Sequence, residues 1–274
     1  MRTGPRVRAD RDAGHKAPRW WNWQTRWLQV PVAARSWRFE SSPGHHLFAL
    51  RSVILRASST GSLNDETRWD CGLTNHLHRG DLPADITFKD SIAVDTETTG
   101  LRLHRDRLCV VQLSAGDGDA HLVQILPGMP ASHLAEVLSA PKLEKIFHFA
   151  RFDLAMLRKH LGVTCTPVYC TRTASRLART NTDKHGLKDL CRDLIGVEIS
   201  KQQQSSDWGA AALTQEQIDY AAADVLYLHR LKGALEQLID REGRKDLVDA
   251  CFKFLPERAA LDLAGWADED FFAH

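Results

Sequence analysis

The stretch SIAVDTETTGL at 91–101, continued by RLCVVQLSAGDGDAHLVQI at 107–125, decides the fold. Short β-rich apolar runs end in polar residues and Gly100, then resume on either side of a Gly-Asp-Gly-Asp turn. That alternation predicts three successive strands joined by hairpin-like connections. Downstream the period changes. SHLAEVLSA (132–140) reads as a helix, KIFHF (145–149) as a buried strand, and RFDLAMLRKHLGV (151–163) as an amphipathic helix stopping near Gly162. PVYC (167–170) reads as the last strand. The remainder is helical: TRTASRLART (171–180), HGLKDLCRDLIG (185–196), one long helix over 214–244, and DLVDACFKFLPERAALD (246–262). Strands first, then alternation, then helices alone is an α/β plan, a mixed sheet flanked by helices.

Composition narrows the function classes. No window has the roughly 18 consecutive apolar residues of a membrane-spanning helix, and no compact apolar segment follows the first basic residues, so a cytoplasmic protein without membrane contact is expected. Six cysteines (Cys71, Cys109, Cys165, Cys170, Cys191, Cys251) are scattered without C-x-x-C or zinc spacing. They read as reduced thiols, mostly buried. The net charge of +1 hides an asymmetry: 12 of the 36 basic and 6 of the 35 acidic residues fall in 1–72, leaving 24 against 29 and a net of −5 beyond. Such a surface does not suit wrapping long duplexes, a grip that rests on many Lys and Arg contacts to phosphate. Excess carboxylates do suit a divalent cation.

Residues 1–72 have no packing period. They mix Arg, Pro, Gly and Ser with Trp20, Trp21, Trp23, Trp27 and Trp37. Aromatics interleaved with Arg could form a tail for single strands. The preferred reading is a mis-assigned extension: Arg38 to Ser41 can be back-translated into a tRNA T-arm consensus and Leu28-Gln29 into a leucine anticodon. On that reading translation begins near Leu73, residues 1–72 are poorly ordered, and the functional domain is 73–274.

The chemistry lies in acidic residues. Asp95 and Glu97 are two apart at a strand end, so both side chains emerge on one face, where they could share a cation. Isolated D-x-E pairs are also common on solvated strand ends. Asp153 falls in the first turn of a helix, where the macrodipole alone favours an acid. Tyr220 and Asp224 lie one helical turn apart on one face. The plain alternative there is a packed Tyr beside a solvated Asp. Alanines at 221, 222 and 223 leave that face room for an approaching group.

In this order, D-x-E, D and Y-x-x-x-D resemble the DEDD exonucleases of the tyrosine type, which include RNase D and polymerase proofreading domains. Their sister subclass has His five residues before the last Asp; here that residue is Asp219. From about Thr74 to His274 the segments HLHRGDLP, AVDTETTGLRLHRDRLCVVQLS, KIFHFARFDLA, DKHGLKDLC, ISKQQQSSDW, YAAADVLYLHRLK and LDLAGW…FFAH resemble more narrowly the nano-RNase C family of alphaproteobacterial oligoribonucleases. The resemblance implies an RNase H-like fold and a 3′-5′ exonuclease that hydrolyses diribonucleotides and short RNA. It implies that Asp95, Glu97, Asp153 and Asp224 hold two Mg²⁺ or Mn²⁺ ions about 3.5–4 Å apart, that the Tyr220 hydroxyl orients the attacking water, and that the assembly is a ring-like homo-octamer. A broader RNase D-like enzyme acting on longer RNA or single-stranded DNA stays open, as does a catalytically silent binding protein. The chain beyond Asp224 is too short for the extra helical domains of a full RNase D, which favours short substrates.

Further residues are assigned to substrate. Thr98 lies in the first motif, and Leu101 wedges between terminal bases if it follows related exonucleases; a core leucine is the plain alternative. His148 and Phe149 could contact sugar or base, although a buried strand explains Phe149 equally well. His185, Lys188, Lys201, Gln204 and Trp208 lie in polar stretches suited to phosphate or ribose. Trp208 ranks first among these, because a large aromatic in a loop needs a reason. The aromatic C-terminal tail should dock on its own domain or a neighbouring subunit.

Overall fold

The computed structural model describes residues 73–200 and 205–273. The readings of 1–72 as a disordered or tRNA-like extension, and of Lys201 and Gln204 as substrate contacts, lie outside the described residues. Six strands form one sheet in the order β1-β4-β3-β2-β5-β6. They are β1 (Thr74–Arg79), β2 (Ser91–Thr98), β3 (Leu108–Ser114), β4 (Asp119–Gln124), β5 (Glu144–Phe147) and β6 (Val168–Cys170). β2, β3 and β4 are antiparallel neighbours, the expected meander, while β1 joins β4, and β5 and β6 extend from β2, all in parallel. The sheet is therefore mixed. Every residue of β3 is buried, as a central strand covered on both faces must be.

Seven helices are described: α1 (Ser132–Ser139), α2 (Arg151–Leu161), α3 (Thr171–Ala178), α4 (Leu187–Leu190), α5 (Gln215–Leu226), α6 (Leu228–Glu242) and α7 (Lys245–Leu261). α2 ends at Gly162, whose left-handed φ of 68° suits glycine. α4 runs into a π-helical turn, Cys191–Ile195. α5 lies across β1, β2, β3 and β4. Of its three alanines, Ala221 and Ala222 are fully buried and let the helix approach the sheet, while Ala223 is half-buried. The long helix expected over 214–244 is two, divided at Tyr227 (φ −106°, ψ −3°).

The C-terminal tail is docked through its backbone more than its rings, the carbonyls of Trp266, Ala267 and Glu269 accepting hydrogen bonds from Arg151 and Arg258. Asp262, buried at the end of α7, accepts two hydrogen bonds from Arg151 of α2 at 2.5 and 2.7 Å and pairs with Arg258 at 3.1 Å. Trp266, Phe271 and Phe272 nevertheless stay exposed. Of the described cysteines, Cys109, Cys165, Cys170 and Cys191 are buried and Cys251 is exposed, all as free thiols, while Cys71 lies outside the described residues. Among the described residues, no helix is long and apolar enough to cross a membrane.

Candidate active site

The end of β2 is where the sheet, α2 and α5 meet. β5 pairs with β2 only over Ser91, Ile92 and Ala93, so β2 continues alone past Ala93 on that side. Asp153 fills the gap from the first turn of α2. Its carboxylate accepts the Thr96 hydroxyl at 2.5 Å. Thr96, the middle residue of D-x-E, was not singled out from sequence, although a side chain on the opposite face of the strand had to meet something. On the other edge, β2 and β3 slip register between Glu97 and Thr98, leaving Cys109 as the extra residue of a bulge. A bulge ends regular pairing and re-aims the strand at the point where the acidic motif closes.

α5 brings the last two residues. Thr214 caps it reciprocally with Gln217, the side chain of each accepting the other's backbone N–H, and Gln217 Nε2 also donates to Asp207 O at 3.2 Å. One cap thus fixes both the helix and the loop that carries Trp208. The T-x-x-Q spacing at 214–217 was the available signal. Asp219, where the sister subclass carries His, accepts Asn75 Nδ2 of β1 at 2.8 Å and Gln215 Nε2 at 2.9 Å. It ties α5 to the sheet edge.

Asp95, Glu97 and Asp224 each turn an oxygen to a common point, these atoms all lying within 4.8 Å of one another. Asp153 adjoins them. Burial, then Asp153, Asp224 and Glu97, raise the Asp95 carboxyl well above its ordinary range. Burial, then Asp224 and Asp153, push Glu97 up to about 9. Burial lifts Asp153 to about 7 against the opposing Thr96 hydrogen bonds. The groups acting on Asp95 and Glu97 are carboxylates and one backbone N–H, with no Lys or Arg side chain among them. Crowded hard oxygens of this kind fit a divalent ion such as Mg²⁺ or Mn²⁺. Tyr220 lies beside Asp224, and burial followed by Asp224, Glu97 and Asp95 raises its pKa, which keeps its proton in place.

The residues assigned to substrate fall at different places. Thr98 is buried, its hydroxyl donating to Gly100 O at 2.7 Å, so it shapes the turn after the motif. Leu101 is 79% exposed on that turn, not a core leucine. The turn is held by Asp106, which accepts Arg102 N and pairs with Arg105. Gly100 is required there because a Cβ would meet Asp106 Oδ2 at 2.5 Å. The strand read at KIFHF stops at Phe147: His148 faces Thr171 Oγ1 at 2.9 Å, and Phe149 is exposed with a left-handed φ of 69°. His185 Nδ1 lies 2.8 Å from Ser175 Oγ, and Lys188 is half-buried on α4. Trp208 is 3% exposed. Its ring lies 6.1 Å from that of Tyr220, making it a wall behind the phenol rather than an open platform.

The family model described as 3′-5′ exonuclease matches residues 81–240. A solved structure of Brucella melitensis NrnC is 56% identical and superposes with a TM-score of 0.72, covering 73% of this chain and 98% of that one. NrnC bound to pGG (55% identical, TM-score 0.72, 74% and 99% covered) and NrnC with bound Mg²⁺ (54%, 0.70, 73% and 99%) are alike. The ribonuclease D of Gluconacetobacter diazotrophicus is 33% identical over 170 residues, 62% of this chain but 43% of that protein. The chain spans about two fifths of the length of the curated ribonuclease D relatives it matches first. With its mixed sheet, its matching span and its likeness to NrnC over nearly all of that protein, the chain belongs to the 3′-5′ exonuclease family, beside NrnC.

Proposed function

We propose that this chain is a 3′-5′ exoribonuclease that hydrolyses short oligoribonucleotides, diribonucleotides above all, to mononucleotides. The observation carrying the reading is the convergence of Asp95, Glu97 and Asp224, with Asp153 beside them, next to a protonated Tyr220. That NrnC is found bound to pGG supports a short substrate. Asp95, Glu97, Asp153 and Asp224 would hold two divalent ions, Mg²⁺ or Mn²⁺, which when bound supply Lewis-acid polarisation of the phosphodiester and a more acidic water. In the hydrolysis a water oxygen joins phosphorus and the bond to the 3′ oxygen breaks. A nucleoside 5′-monophosphate leaves, and the shortened chain takes up a proton at its new 3′ hydroxyl. Tyr220 would orient the water: its phenol stays protonated among the carboxylates, and its oxygen can accept from the nucleophile. Leu101, exposed on the turn after the motif, would meet the terminal base.

Tyr220→Phe should therefore keep substrate KM near wild type and lower kcat by about 10²-fold, the usual scale for one positioned hydrogen bond to the reacting groups. Single-turnover cleavage with saturating Mg²⁺ measures it, and an undiminished kcat would remove the tyrosine from the mechanism. Substrate length is read by kcat/KM on labelled RNAs from two to about twenty nucleotides, with matched DNA strands alongside. A steep optimum at two to four nucleotides is expected. A flat profile, or equal rates on DNA, would instead favour the broader trimming activity that the ribonuclease D names suggest. The proposed ring-like homo-octamer is read by light scattering of the same preparation.

A further inference from the structure

The loop before α5 is held from the sheet. Arg107, the residue before β3, donates from Nη2 to Gly209 O at 3.0 Å, and Gln124, the last residue of β4, donates from Nε2 to Ala210 O at 2.9 Å. With the bond from Gln217 to Asp207 O, three side chains from different parts of the chain end on carbonyls that flank Trp208. Arg107 is fixed at its other end too. Its backbone N–H donates to Thr99 Oγ1 at 3.0 Å and its carbonyl accepts the Thr99 N–H at 3.1 Å, just past Glu97 in the chain. Gly209 permits the close approach, since a Cβ there would stand 3.2 Å from Arg107 Nη2 and 3.3 Å from Thr99 Cγ2. One guanidinium thus ties the end of the acidic strand to the tryptophan loop.

The tryptophan does not hold itself. Trp208 is buried, yet its indole Nε1 has no hydrogen-bond partner among the described residues. A buried donor left unpaired is unfavourable, so packing and the bonded carbonyls on either side keep the ring in place. What that ring meets is Tyr220, at 6.1 Å between centroids and an interplanar angle of 38°. The backbone of α5 fixes the Cα of Tyr220 but not its side-chain torsions. Those depend on what packs against the ring, and small displacements of a group at a reacting centre carry large losses in rate.

We propose that Arg107 is a positioning residue for the hydrolysis: through Gly209 it holds Trp208 against Tyr220 and so sets where the phenol oxygen stands. Gln124 supports the same loop from β4. The inference rests on the exonuclease reading, in which that oxygen meets the attacking water, and adds the residues that keep it there. Arg107→Met keeps the stem and removes the donors. On a diribonucleotide with saturating Mg²⁺ it should lower kcat about tenfold, with KM within about twofold of wild type and part of the loss recovered by Arg107→Lys. In a Tyr220→Phe background the same change should cost less than about twofold, because no phenol oxygen is left to misplace. Equal losses in the two backgrounds, or no loss in either, overturn the proposal. Gln124→Met should repeat the pattern, and it decides the question if Arg107→Met does not fold. A second measurement needs no turnover. The tyrosines are Tyr169, Tyr220 and Tyr227, so 3-fluorotyrosine labelling gives one ¹⁹F resonance for each, and Tyr220→Phe identifies the one that belongs to Tyr220. Arg107→Met should shift or broaden that signal and leave the signal of Tyr169 in place. An unmoved Tyr220 signal refutes the inference even if RNA is cut. A moved signal in a chain whose wild type cuts nothing would fail the exonuclease reading and not this placement of the ring.

Discussion

Asp95→Asn is expected to reduce phosphodiester hydrolysis by about 10³-fold or more while leaving the metal-free chain at least as stable as wild type. The two halves have one cause. Asp95 stands half-buried among Asp153, Asp224 and Glu97, and each of these raises its pKa. Without a cation, the folded chain must hold these groups protonated or bear their repulsion. The amide keeps the shape but removes one charge from the cluster. Folding therefore loses an unfavourable term, on the order of 1 kcal/mol or about 2–4 °C in Tm for a domain of this size. Hydrolysis loses an oxygen that the cation site needs. Thermal melts in EDTA and cleavage rates in Mg²⁺ measure the two together. Robust turnover by the variant would refute the assignment of the site. A metal-free Tm several degrees below wild type would show that Asp95 is structural.

Much of this was legible in the chain. D-x-E, the helix-start Asp and Y-x-x-x-D fall at the ends or exposed turns of elements whose periods are clear, so β2, α2 and α5 could be placed before their meeting was seen. The partners were harder. Thr96 reaches Asp153, and Asp219 reaches Asn75, across separations of 57 and 144 residues, which no local pattern encodes. β1 was missed because TNHLHR has a single aliphatic residue and no apolar alternation. It becomes a strand by pairing with β4, where His76, His78 and His121 stack. The break between α5 and α6 escaped because no Gly or Pro marks Tyr227, and the 3.6-residue period runs straight through it. Phe149 and Trp208 exchanged roles for a similar reason. Local hydrophobicity placed the phenylalanine in a strand and the tryptophan in the open. The left-handed turn before α2 exposes the first, and the capped start of α5 draws the loop of the second inward.

Divalent metal should stabilise the chain increasingly as pH rises from about 6 to 9, and its removal should abolish hydrolysis at every pH in that window. In the metal-free fold Glu97 is raised to about 9 and Asp153 to about 7. A carboxyl raised in the folded state favours folding below its unfolded value, near 4, and that contribution is lost as pH climbs through the folded value. The metal-free Tm should therefore fall between about pH 4 and 9, with both groups contributing up to about pH 7 and Glu97 continuing alone above it. A cation in the cluster reverses the sign for these groups, because it favours the ionised form that crowding disfavours. Binding must then displace the protons the carboxylates hold, and it grows tighter as fewer remain. Melts with and without saturating Mg²⁺ at pH 6, 7, 8 and 9 should show a gap widening at each step, and titration in weakly buffered solution at pH 7 should release protons. Asp95→Asn should narrow the gap at every pH. A gap independent of pH, with no protons released, would mean that the cation binds elsewhere and that the raised carboxyls have some other compensation.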